Sequence, residues 1–206
     1  DGKSTITKAS CSAWGSPFGN GQSKYPNSWR TTDNALENSA ELRNDGYMVL
    51  DELKQATAKT VSNVAYMLAN NDGKDRMKSS GKSQKQKTWN LIYMSTGEIT
   101  LDEHLRRDNL TMDARQKLRF AHIRSDQGQG LGVFESLQGF KKAEDLAEHI
   151  KNLASHHYGH AGGKWLDYLV QNKQQAITQA EELIRRFVHS YANNLYRPVQ
   201  REALRF

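Results

Sequence analysis

Gly2-Lys3-Ser4 has the composition of the closing part of a phosphate-binding loop, G-x-x-x-x-G-K-[ST], in which backbone N–H groups and a lysine cradle phosphates and the hydroxyl holds Mg²⁺. Asp1 stands at the last variable position of that loop, so its first glycine and the three residues after it would precede this chain. The tripeptide is common on composition alone. Its position sharpens it, because it opens a helical pattern and a helix amino end favours anions. Gly2, Lys3, Ser4 and Thr5 are therefore candidate nucleotide ligands, and Ser4 a candidate Mg²⁺ ligand. Asp51-Glu52 follows directly on the apolar run Tyr47-Met48-Val49-Leu50. Nucleotide hydrolysis needs a carboxylate at the end of a buried strand to hold Mg²⁺ and a group that positions the attacking water. Asp51 fits the first role and Glu52 the second; the bland alternative is a solvated helix start. Ser95-Thr96 ends a second apolar run, Trp89 to Met94, where a hydroxyl can contact the γ-phosphate or its water. Thr96 is the better placed and Ser95 close behind, against the plain reading of a turn or helix cap.

These residues need elements to hold them. Ile6, Ala9, Ala13 and Trp14 lie at helical spacing behind the loop remnant, and residues 16–28, with two prolines and two glycines, read as a loop. Asn34 and Glu37 have capping-box spacing ahead of a polar helix reaching about Asn44. Tyr47 to Leu50 is uninterrupted enough for a parallel strand buried on both faces, and a helix is expected from roughly Thr57 to Asn70. Trp89 to Met94 is the next strand, Leu101 to Arg107 a helix, and Leu118 to Ile123 alternates as a third strand. Gln127 to Gly139 is a glycine-rich loop, and Lys141 to His157 and Trp165 to Leu195 are long helical patterns. Strands alternating with helices imply an α/β fold with a parallel sheet, followed by an all-helical region. The division falls near residue 139, giving a core over 1–139 and a helical region over 140–206.

Composition bounds the function. The 206 residues carry 29 Lys plus Arg against 23 Asp plus Glu, for a net charge of +6. Six of the basic residues (Lys74, Arg76, Lys78, Lys82, Lys85 and Lys87) fall between 74 and 87 against the single acid Asp75, which leaves the rest of the chain near neutral. A Ser/Gly/Gln/Lys stretch of this kind reads either as a solvated loop or as a grip for nucleic-acid phosphates, with Lys78, Lys82, Lys85 and Lys87 as its contacts. It holds no aromatic residue, so such a grip would be blind to sequence and strongly salt-dependent. No 18 apolar residues run together, which excludes a membrane-spanning helix. The single Cys11 excludes a disulfide framework and, with no leader pattern at the start, points to a cytoplasmic setting. His149, His156, His157 and His160 sit among glycines that suggest a helix end rather than a metal site.

Several longer strings carry a resemblance. Trp29-Arg30-Thr31-Thr32-Asp33-Asn34-Ala35-Leu36-Glu37, the strand ending Leu50-Asp51-Glu52, Ala65 to Asn70, Ser95-Thr96-Gly97-Glu98 with Glu103-His104, and Phe134-Glu135 with Gly139-Phe140 resemble the domain of unknown function 927 family. Those are P-loop, helicase-like ATPases of bacteria, phages and mobile elements. The resemblance implies an AAA+/RecA-like P-loop NTPase that binds ATP and Mg²⁺ and acts on DNA, single-stranded DNA being the expected partner. It also implies a homo-oligomer, with a hexameric ring among the forms; in ring ATPases the connection between the acidic and sensor strands can face the pore, against the plain reading of a solvated loop. Ala114 to Arg119 matches a segment whose arginine, Arg119, would be a finger reaching a neighbour's nucleotide and neutralising charge on the transferred phosphoryl group. His122 and Arg124 depart from the family pattern, which has an acid and a proline there. Val199 to Ala203 matches a helix used near the nucleotide, making Arg201 or Arg205 a second sensor. A competing reading is a nucleotide-switched DNA-binding or loading module with little turnover; a small-molecule kinase is disfavoured by the Asp-Glu pair and the basic stretch.

Overall fold

The computed structural model describes residues 2–18, 25–75, 77, 85–126 and 128–192. Three short strands, β1 (Asn27–Ser28), β2 (Tyr47–Asp51) and β3 (Ile92–Ser95), form one parallel sheet in that spatial order. Asn27 is in register with Leu50 and Ser28 with Asp51, while Tyr47 to Leu50 pair with Ile92 to Ser95. Parallel neighbours need long crossovers. Helix α2 (Asp33–Leu42) carries the chain from β1 to β2, and α3 (Ala58–Asn70) from β2 to β3.

The central strand explains the packing. Met48 and Leu50 join Leu36 and Ala40 of α2 and Val61, Val64 and Leu68 of α3 in one buried cluster, with Trp29, Leu53, Trp89 and Leu105. The opposite face of β2 meets α1 (Lys3–Ser12), whose Ser10 Oγ accepts a hydrogen bond from the Tyr47 hydroxyl at 3.0 Å. Coverage on both faces is why this strand reads as a continuous apolar run. The inward residues of α1 are Thr5, Thr7 and Cys11, while Ile6 is exposed, so small side chains rather than the apolar spacing set this contact.

Helix α4 (Leu101–Arg106) and α5 (Ala114–Arg119) pack on α3, and α6 (Ala143–His156) packs on α1. Helices α7 (His160–Gln171) and α8 (Lys173–Ala192) follow. The α/β arrangement with a helical carboxyl-terminal part agrees with the expectation. Several boundaries do not. Asn27–Ser28 is a strand inside the stretch expected to be a loop; two residues cannot show alternation. The expected strand from Leu118 to Ile123 is instead the end of α5 and an irregular segment outside the sheet. A reciprocal capping box decides it, with Gln116 N donating to Asp113 Oδ1 at 2.8 Å and Asp113 N donating to Gln116 Oε1 at 2.9 Å. Thr32, not Asn34, caps α2, accepting from Ala35 N at 3.3 Å. The second long helical pattern starts earlier, at His160, and breaks at Asn172; its end at Leu195 lies outside the described residues. Among the described residues no helix is long and apolar enough to cross a membrane.

Candidate functional site

The carboxyl ends of the three strands bring Ser28, Asp51, Glu52, Ser95 and Thr96 to one edge of the sheet. In open α/β sheets that edge is where ligands bind. Thr96 extends the β2–β3 ladder past its last strand residue, its N–H donating to Leu50 O at 3.1 Å and its carbonyl accepting from Leu53 N at 3.1 Å. The Thr96 hydroxyl, so held, donates to Asp51 Oδ1. Glu52 N donates to the same oxygen at 3.2 Å and to Thr96 Oγ1 at 3.4 Å. Asp51 Oδ2 has no hydrogen-bond partner among the described residues.

Glu52 is in the left-handed region, with φ 62° and ψ 64°. A non-glycine residue there costs on the order of 1 kcal/mol and persists only when its surroundings demand it. Here Leu53 is drawn into the core, 2 % exposed, at the start of a 3₁₀ turn over Leu53–Gln55. The reversal leaves Glu52 exposed beside Asp51 and Thr96. Behind the edge, the buried Trp29 follows β1, and its indole N–H reaches Ser95 Oγ of β3 at 2.9 Å, spanning the central strand. Trp29 N also donates to Asp51 O at 3.1 Å. This tryptophan carries no motif chemistry, and in the sequence it is marked only as the first residue of the string from Trp29 to Glu37.

Gly2 caps α1 with φ 94°, its carbonyl accepting from Thr5 N at 2.9 Å and Ile6 N at 3.0 Å. A side chain at Gly2 would meet Val133 Cγ2 at 2.5 Å, so the glycine-rich segment lies directly on the amino end of α1. Lys3 is half-buried and Ser4 exposed, whereas Thr5 is buried. Electrostatics tie this end to the strand edge. The Lys54 ammonium, hydrogen-bonded to Glu98, holds the Glu98 carboxyl below its usual range, and Lys3 lowers it further. Lys54 is thus seated on the segment that follows Thr96, and the Lys3 charge acts on the same carboxyl. Asp51 in turn lies near α1: burial, reinforced by the Asp51 charge, pushes the Cys11 thiol up to about 12, against the lowering effect of Arg43.

The other expected residues are more scattered. Arg119 ends α5 beside β3, where its carbonyl accepts from the Tyr93 hydroxyl at 3.5 Å and its charge partly offsets the burial that pushes Tyr93 up to about 12. Lys85 is exposed, while Lys87 is ion-paired to Glu41 at 2.8 Å and bonded to Asn38. Lys78, Lys82, Arg201 and Arg205 lie outside the described residues. Of the histidine group, His156 ends α6 and His160 begins α7, and no cluster of three or more potential metal ligands occurs among the described residues.

Residues 1–89 match the family described as Domain of unknown function (DUF927). A solved structure titled "SCCmec type IV Cch - active helicase" has a similar fold, with a TM-score of 0.65 over 99% of this chain at 22% identity. The chain spans 33% of that protein's length. No curated protein matches it significantly.

Proposed function

We propose, on the premise that residues 1–89 belong to the DUF927 family, that the chain is part of a P-loop, helicase-like ATPase of AAA+/RecA-like type that hydrolyses ATP and acts on DNA. The observation that carries the reading is the carboxylate edge. Asp51, oriented by Thr96 and Glu52 N, ends a buried parallel strand, with Glu52 exposed beside it. The solved neighbour, an active helicase by its title, supports the fold of this reading. On the same reading residues 1–139 are the ATPase core and 140–206 its helical extension.

The residues present fit Mg²⁺, which binds through one or two protein oxygens and completes its shell with water and phosphate oxygens. Asp51 Oδ2, which has no protein donor among the described residues, and the exposed Ser4 hydroxyl would hold it, and when bound it would neutralise charge on the β- and γ-phosphates. Lys3 and the N–H groups at the start of α1 bind phosphate oxygens. Glu52 accepts a proton from, or orients, the attacking water. Thr96 couples the Asp51 carboxylate to the γ-phosphate position through one hydroxyl. Arg119 acts on the nucleotide of a neighbouring copy in a homo-oligomer, Arg201 serves as a second sensor, and Lys78, Lys82, Lys85 and Lys87 contact single-stranded DNA.

Glu52→Gln is expected to retain ATP binding and lose hydrolysis by about 10²-fold or more, as removal of a general base does. Lys3→Ala is expected to lose binding itself. Phosphate release and nucleotide binding, each with and without single-stranded DNA, test this. Equal turnover in wild type and Glu52→Gln would sink the assignment. ATP binding without turnover in wild type would favour a nucleotide-switched loading module.

A further inference from the structure

The basic stretch between α3 and β3 stands on a built stem. Asp72 and Thr88 form an antiparallel bridge, Gly73 N donates to Lys87 O at 2.8 Å, and Trp89 N donates to Asn71 O at 3.0 Å. Gln86 Nε2 adds a bond to Gly73 O at 2.8 Å. The stem lies along one face of α2, on which Asp33, Glu37 and Glu41 recur four residues apart. Glu37 is buried so tightly against Gly73 that a side chain there would meet its carboxylate at 2.5 Å.

Two ion pairs are added to this stem. Lys74 Nζ lies 3.1 Å from Asp33 Oδ2 and Lys87 Nζ 2.8 Å from Glu41 Oε2. In each pair one side chain is about half exposed, Lys74 at 53% and Glu41 at 47%. Exposed pairs contribute little to stability and exchange readily. The backbone bonds and the buried Glu37 contact already hold the stem without them. What the pairs do is occupy the cations at both feet of the stretch with carboxylate oxygens.

We propose that Asp33 and Glu41 are an internal phosphate mimic, a latch that holds Lys74 and Lys87 until a nucleic-acid backbone displaces the carboxylates. The inference rests on the DNA-acting reading above. It makes α2, which follows β1 and Trp29, the element that limits how strongly the stem grips phosphate. Lys85, exposed and without an ion-pair partner among the described residues, remains available to make contact first.

The test is binding of a fluorescein-labelled single-stranded oligonucleotide to the 206-residue chain across a salt series, with circular dichroism to verify the fold. Asp33→Asn/Glu41→Gln is expected to bind about three- to tenfold tighter at low salt and to steepen the log–log salt slope by about 1.4, since each of the two freed lysines adds roughly 0.7. Glu148→Gln/Glu182→Gln removes two carboxylates that are ion-paired to Lys151 and Arg186, and so controls for net charge. Adding Lys74→Gln/Lys87→Gln to the latch variant is expected to abolish the gain. An unchanged slope, or an equal gain in the control, overturns the latch while leaving DNA binding standing. No binding by any of these proteins overturns the latch and the DNA-acting reading together.

Discussion

Cys11 shows how closely the candidate site and the core are joined. Its thiol is buried on the inner face of α1 and raised to about 12, chiefly by burial and further by the Asp51 charge. A group whose proton is held more tightly in the folded state contributes stability in full below its unfolded value, and loses it as pH rises toward the folded value. With an unfolded thiol near 8.5, the loss begins at about pH 8.5 and continues upward. Tyr93, also pushed up to about 12, adds a second decline that begins near pH 10. The urea midpoint is therefore expected to fall between about pH 8.5 and 10 in the wild type and to fall less over that window in Cys11→Ala. Identical slopes in the two proteins would show that the thiol is not buried beside Asp51. The residues meant for chemistry were readable at this scale because Asp-Glu after an apolar run and Ser-Thr after another are local patterns. The left-handed turn at Glu52 was not readable, since it is imposed by Leu53 entering the core and by Thr96 clamping both neighbours.

Trp29 links the outer strands β1 and β3 across the central one, through a single hydrogen bond to Ser95. Both partners sit at the edge where the carboxylates converge, and the indole is 1% exposed, so an unmet N–H there has no water to turn to. Trp29→Phe and Ser95→Ala are each expected to destabilise the chain by about 1–3 kcal/mol. A double-mutant cycle in urea should return a coupling of about 1 kcal/mol, because removing the second partner no longer orphans the first. A coupling near zero would mean that the bond does not tie the two strands. The same elements show where the fold was legible. Tyr47 to Leu50 and the apolar face of α3 were strong signals because one is buried on both sides and the other is long and periodic. Strand β1 is two residues with no pattern of its own, made a strand by pairing with Leu50 and Asp51. The alternation from Leu118 to Ile123 misled because Asp113 and Gln116 cap a helix whose last turn it overlaps, and Phe120 packs on Tyr93 at 5.2 Å instead of entering a sheet.

At the scale of the whole molecule, α1 connects the two halves. Its amino end carries Gly2 and Lys3, its middle packs on β2 and α6, and its carboxyl end receives the start of α7. Gly159 N donates to Ser12 O and Gly162 N to Ala13 O, each at 2.7 Å. A Cβ at Gly162 would stand 2.7 Å from Ala13 O and 2.9 Å from the Trp14 ring, contacts that no side chain can occupy without moving one helix. Beyond that junction the burial thins: Gly162 is the buried residue of α7, and no described side chain of α8 is buried. A region held by few buried contacts opens locally at lower free energy than the core. Gly162→Val is therefore expected to prise α7 from α1 while leaving the sheet intact. In hydrogen exchange, amides of α7 and α8 should lose protection by about tenfold or more, and those of β2 and α3 should hold theirs. If β2 loses protection in step with α7, the helical region and the sheet unfold as one unit, and α1 transmits the change at its carboxyl end to the edge that carries Asp51.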